Sequence, residues 1–221
     1  MAANLKSRLA RLREQQPSGK KKHAATVTHE LPVAWEHTHP WLYVRRVQKP
    51  LIKLFPNPTI PLGALYHRLT GSLCPPSGLV FFDLETTGLS GGAGTVAFLA
   101  AIGRVRGTVL ELSQYFLADY PGEAAFVSAV CEELASAQAL VTYNGLCFDW
   151  PLLRTRAILN GMRVPEALVH ADLVYASRRL WRARLPDCSL GQVERSVLGF
   201  DRGPDLPGRD VTETWFRYLK S

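Results

Sequence analysis

Two acids two residues apart, Asp83 and Glu85, close an apolar run, Gly78-Leu79-Val80-Phe81-Phe82. If that run is a strand, the period of two puts both carboxylates on one face with Phe81, while Val80, Phe82 and Leu84 fill the other. Two like charges at the end of a strand that is otherwise apolar on both faces repel each other and lose hydration, which raises both pKa values unless a cation is near. A divalent cation resolves the conflict, and hard oxygen ligands at this spacing suit Mg²⁺ or Mn²⁺, which keep several waters and accept one or two carboxylates plus a substrate phosphate. The plainer reading of the same pair is a solvated strand end. Further along, Asp149 follows a short apolar segment and opens a helical one, a place where the helix dipole favours an acid whatever its role. Asn144, five residues earlier, has the composition of a turn residue.

The elements that must position these acids are legible from residue 78 onward. The first strand, 78–85, is followed by Gly88, Gly91, Gly92 and Gly94, a flexible turn. Residues 95–106 and 108–119 read as second and third strands joined at Gly107, an antiparallel meander. A helix is predicted over 121–136, with Pro121 at its start and Phe126, Val130 and Leu134 on one face. A short strand at 139–143, a helix at 148–159 ending on Asn160-Gly161, a strand at 168–171 and helices near 173–183 and 189–198 complete the order. The sequence βββαβαβα implies an α/β domain built on a mixed sheet.

The N-terminal third differs in charge. Residues 1–75 hold 12 basic and three acidic side chains, a net +9, whereas the remaining 146 residues hold 14 basic and 16 acidic, a net −2. A basic segment of this kind suits a polyanion such as nucleic acid, or serves as a solvated arm. Leu5, Leu9 and Leu12 outline an amphipathic helix too short to stand alone, which would need a partner surface and makes a protein-docking arm an alternative use. Residues 15–29 read as a polar linker, so 1–29 is a basic helix and linker, 30–77 an extension with one helical stretch at 61–69, and 78–221 the α/β domain. No apolar run reaches the length of a membrane span, and the charged N-terminus lacks the apolar stretch of a secretory signal, so a cytoplasmic location away from membranes is expected. Cys74, Cys131, Cys147 and Cys188 form no CxxC pair and read as reduced structural thiols.

Asp83-Leu84-Glu85-Thr86-Thr87-Gly88-Leu89 resembles the first exonuclease motif of the DnaQ-like group of the ribonuclease H-like superfamily, and Asn144 to Asp149, N-G-L-C-F-D, resembles its second, N-x-x-x-F-D. With Gly91-Gly92-Ala93-Gly94-Thr95, His170-Ala171-Asp172-Leu173, Arg178-Arg179-Leu180-Trp181, Cys188-Ser189-Leu190 and Asp205-Leu206-Pro207-Gly208, the stretch 78–221 is similar to the YprB-type ribonuclease H-like domain. That resemblance implies a ribonuclease H-like mixed sheet and hydrolysis of phosphodiester bonds in DNA or RNA, 3′ to 5′. It assigns Asp83, Glu85 and Asp149 as catalytic ligands of two divalent ions, Mg²⁺ or Mn²⁺, one activating water and the other stabilising the leaving oxygen. It sets Thr86, Thr87, Leu89 and Asn144 against the terminal nucleotide, and leaves Asp172 as either a supporting acid or the N-cap of the next helix. Arg178, Arg179 and Arg182, close to Trp181 on one helix, would track phosphates, or form a solvated basic face. The group's fourth carboxylate comes from a third motif, a Y-x-x-x-D or His-centred element, and no aspartate after Asp172 has a Tyr or His four or five residues before it. In the YprB-type pattern a His-Asn-x-x-Asp element follows the segment resembling Trp215 to Leu219, so a chain ending at Ser221 reads as cut short. The alternative function is then a catalytically impaired nucleic-acid-binding module.

Overall fold

In the computed structural model the described residues are 34–51, 74–88, 94–163, 169–203 and 206–220. The amphipathic helix and linker of residues 1–29, the helical stretch at 61–69 and Leu89 lie outside them. The chain divides into two units, residues 1–32 and 33–221, and the second carries everything that follows.

Seven strands form one mixed sheet in the order β1-β2-β5-β4-β3-β6-β7. They are β1 (Glu36–His39), β2 (Leu42–Pro50), β3 (Leu79–Thr86), β4 (Ala97–Arg106), β5 (Val109–Leu117), β6 (Ala139–Thr142) and β7 (Val169–Asp172). The three-strand meander is present as β3-β4-β5, antiparallel throughout, and β6 and β7 add parallel to β3 and to each other. This is the mixed α/β sheet, with an antiparallel meander at its centre, that the resemblance implies. A parallel addition needs a crossover. The helices that supply it are α1 (Glu123–Leu134) before β6 and α2 (Asp149–Leu159) before β7.

Alternation along β3 divides two cores. Val80, Phe82 and Leu84 face the larger one, where Phe126, Val127, Val130 and Leu134 of α1 and Leu152, Leu153 and Ala157 of α2 cover the sheet. Leu79 and Phe81 face a smaller core made with Cys74, Ala139, Val141, Ala171 and Leu173. The apolar residues of α1 recur at helical spacing, and burying that stripe is what holds a helix of this length in place. A half-buried ion pair between Arg156 of α2 and Glu123 of α1 fixes the two helices side by side. α2 ends as its Asn160-Gly161 signal predicts, with Gly161 at φ 70°, a left-handed turn that glycine takes without penalty.

Three elements differ from the sequence reading. Residues 36–50, within the extension, form a hairpin whose β2 pairs along the whole of β5 and widens the sheet. Its turn runs through Pro40 and Trp41, with Trp41 at φ 65°, and carries none of the Asn-Gly signals that announce a hairpin. The single helix expected over 189–198 is α4 (Leu190–Val193) followed by a π-helical turn, Glu194–Leu198. A helix not anticipated, α5 (Gly208–Tyr218), follows α3 (Leu173–Trp181) and α4 in the chain and packs on the larger core through Trp215. Trp215 is 2% exposed, stacks on Phe98 at 4.9 Å and donates its indole N–H to the Leu117 carbonyl at 2.9 Å. All four cysteines are free. No helix among the described residues is long and apolar enough to cross a membrane.

Candidate active site

The parallel pairing of β3 with β6 decides where the acids meet. Leu79, Val80 and Phe81 lie opposite Ala139, Leu140 and Val141. Continued one step past Thr142, this register brings the β6–α2 loop level with Asp83, at the carboxyl ends of the parallel strands, where ligand sites of open α/β sheets form. Asp83 and Glu85 share the face of Phe81, as alternation predicts, and a β-bulge follows between Glu85 and Thr86. Bulges at such places re-aim side chains at a strand's end.

Asp149 enters from the first turn of α2. Burial, then the charges of Asp83, Asp172 and Glu85, push its pKa up to about 7. Asp83, although reached by solvent, is surrounded by protein, and burial lifts its carboxyl above the ordinary range while Arg202 partly offsets the rise. The structure therefore brings Asp83, Glu85 and Asp149 into one electrostatic neighbourhood. Hard oxygen donors and closely set negative charge fit a divalent cation. Among the described residues no three acids close into a group that could hold an ion unaided.

Asp172 is placed differently from the other acids. Its carboxylate accepts from the backbone N–H groups of Asn144 (2.7 Å), Leu146 (2.9 Å) and Val174 (3.1 Å), and the side chain is 7% exposed. It caps α3 and latches the loop that leads to Asp149, because Asp172 pairs with Thr142 at the end of β7. Asn144 sits at φ 70°, a turn conformation that asparagine tolerates, with its N–H in that latch. A Cβ on Gly145 would lie 2.7 Å from Thr142 Cβ and 2.8 Å from Asp149 Oδ2, so only glycine lets the Asp149 carboxylate lie over the turn.

The hydroxyls of Thr86 and Thr87 are engaged inside the protein. Thr86 Oγ1 donates to the Gly88 carbonyl at 2.9 Å, and Thr87 Oγ1 accepts from the Val96 N–H at 3.0 Å. Thr212 of α5 donates to the Thr86 carbonyl at 2.8 Å and so braces the strand beside Glu85. Arg178 and Arg179 are exposed on α3 and Arg182 follows at its C-cap. Tyr143 is committed to packing, its hydroxyl donating to the Cys188 carbonyl at 2.6 Å. Trp150 packs edge-on to His170.

Sequence reasoning missed Arg202. The guanidinium forms a two-point ion pair with Glu194, at 2.5 and 3.0 Å, and lies close enough to Asp83 to act on its ionisation. No local signal links residues 83 and 202; only the tertiary fold does.

A model of the RNase H superfamily matches residues 80–221. The YprB protein of Bacillus subtilis (strain 168) is 38% identical over 161 residues, a match covering 72% of this chain and 39% of that protein. The chain thus spans about two fifths of the length of the curated relative it matches. Among solved structures, the family B DNA polymerase of the hyperthermophilic archaeon Pyrobaculum calidifontis aligns with a TM-score of 0.52 at 19% identity, covering 66% of this chain and 22% of that one, a likeness of fold. A zinc-bound exonuclease I–ssDNA complex of E. coli aligns with a TM-score of 0.47 at 19% identity, covering 64% and 42%.

Proposed function

The chain belongs to the RNase H superfamily, and from that premise we propose that residues 78–221 are a metal-dependent nuclease domain that hydrolyses phosphodiester bonds of DNA or RNA from a 3′ end. The observation that carries this reading is the raised Asp149, held at about 7 by burial and by the acids of β3 and β7 around it. A protein keeps carboxylates in such conflict where an absent cation balances them. Asp83, Glu85 and Asp149 would hold two Mg²⁺ or Mn²⁺ ions, which when bound lower the pKa of the attacking water and stabilise the leaving oxygen.

The chain's own residues supply position. β3, buried on its Val80-Phe82-Leu84 face, is a rigid base for Asp83 and Glu85. The Asp172 latch and Gly145 set the height of Asp149 over the same strand ends. Arg202, anchored by Glu194, supplies fixed positive charge beside Asp83, where a substrate phosphate would otherwise meet only acids. Thr86 and Thr87 shape the turn against which the resemblance sets the terminal nucleotide, and the resemblance gives Leu89 and Asn144 the same role.

The test is Asp83→Asn, assayed on 5′-labelled and 3′-labelled single-stranded oligonucleotides with Mg²⁺ or Mn²⁺. The parent should give a ladder retaining the 5′ label, and the variant should lose it by at least about 10²-fold. Cleavage unchanged by the substitution, or persisting in chelator, would overturn the reading. Binding without any cleavage by the parent would make the chain a nucleic-acid-binding module instead.

A further inference from the structure

Beside the β6–α2 loop, the catalytic loop of the proposed nuclease, α3 and the segment after it line an open cavity of about 460 Å³, formed by Arg178, Arg182, Leu185, Pro186, Asp187 and Cys188. Its wall is tied directly to the loop: the hydroxyl of Tyr143, the residue before Asn144, donates to the Cys188 carbonyl. Arg178 and Arg182 stand one turn apart on the same helix face, and neither guanidinium has an ion-pair partner among the described residues. The single acid in the lining, Asp187, offsets one of these two charges and leaves the cavity net positive. Asp187 accepts from the Ser189 N–H at 2.8 Å, and its carboxyl is held low by hydrogen bonds from Ser189 and by Arg195.

The same face of α3 reaches back to the catalytic loop. Tyr175, three residues before Arg178 and seven before Arg182, is 49% exposed, and its hydroxyl lies 3.3 Å from Sγ of Cys147, two residues from Asp149. From Tyr175 to Arg182 the helix rises about 10 Å, so a base at Tyr175 and a phosphate at Arg182 belong to nearby nucleotides of one strand. An exposed aromatic followed by unpaired guanidiniums is the pairing that binds bases by stacking and phosphates by charge.

We propose that this face is a second substrate subsite, in which Tyr175 stacks a base and Arg178 and Arg182, in the lining of the cavity, hold a backbone phosphate of the same strand. The subsite rests on the nuclease reading for its purpose, but its binding is measurable without cleavage. A strand shorter than the distance from the acids to Arg182 would not reach it. Leu185 and Pro186 give the cavity an apolar side that accepts a sugar or base edge while the arginines take the phosphate.

The full 221-residue chain would be titrated against a fluorescent single-stranded DNA 12-mer in chelator, by anisotropy, across a salt series. Arg178→Gln/Arg182→Gln should lower affinity by about tenfold and make the slope of log K against log salt shallower by about 0.7, the contribution of one phosphate on a single strand. Tyr175→Ala should weaken the 12-mer at least about fivefold, whereas a dinucleotide should bind the parent and the glutamine variant alike. Restoration of the salt slope by Arg178→Lys/Arg182→Lys would support a charge contact. Affinity and slope unchanged in the glutamine variant would overturn the proposal. So would a mononucleotide site lost in that variant while 12-mer affinity stays intact, since the cavity would then hold a free nucleotide. Asp83→Asn separates the two readings: if the parent does not cleave, yet the 12-mer results hold in both parent and Asp83→Asn, the nuclease reading fails and the subsite stands.

Discussion

Removing the charge of Asp149 should stabilise the metal-free protein by an amount that grows from pH 4 upward and is complete above pH 7. An unfolded aspartate titrates near 3.9, whereas Asp149 in the folded chain is pushed up to about 7. Three pH units correspond to about 4 kcal/mol; solvent reaching this partly buried side chain reduces that to about 2–4 kcal/mol. The sign follows from linkage. Below pH 4 the carboxyl is protonated in both states and costs nothing; between 4 and 7 only the unfolded state releases the proton freely, so the folded state loses ground, and above 7 the loss is complete. Asp149→Asn carries no charge at any pH. Urea denaturation in chelator should therefore give parent and variant equal stabilities at pH 4 and a variant more stable by about 2–4 kcal/mol at pH 8. A difference that is the same at both pH values, or a parent that is the more stable at pH 8, would refute the electrostatic account. With Mg²⁺ or Mn²⁺ added at pH 8 the order should reverse, because only the parent keeps the charge that the ion balances.

Asp172→Ala should act in the opposite sense. It leaves three backbone N–H groups without their carboxylate and should cost about 3–5 kcal/mol by urea denaturation in chelator; a cost below about 1 kcal/mol would remove the latch from the account. Gly145→Ala forces Thr142 or Asp149 to move, and should destabilise by about 1–3 kcal/mol, read as a lower thermal midpoint. Trp215→Ala should cost about 3–5 kcal/mol at equilibrium, since it removes the stack on Phe98 and the bond to Leu117 that seat α5; an unchanged urea midpoint would mean that α5 contributes nothing to the fold.

Much of this molecule can be read locally. Alternation in Leu79 to Glu85 determines which face carries the acids, because a strand's side chains alternate whatever it pairs with. The order of strands and helices from residue 78 follows from periodicity and from the Pro and Gly that bound each element. Even α5 left a trace, Val211, Trp215 and Leu219 at four-residue spacing, outweighed by the charged residues between them. The hairpin at 36–50 left less, because its turn uses Pro40 and Trp41 rather than residues that favour a tight reversal.

What no local pattern contains is the company each acid keeps. Asp83, Asp149, Asp172 and Arg202 are separated by tens of residues, and their proximity depends on the register of β3, β6 and β7 and on the path of the chain after α4. Sequence types Asp149 and Asp172 alike, as acids at helix starts. The tertiary structure separates them: Asp172 spends its lone pairs on three backbone N–H groups, whereas Asp149, with other acids around it and too little water to screen them, is left with a charge that a cation would balance.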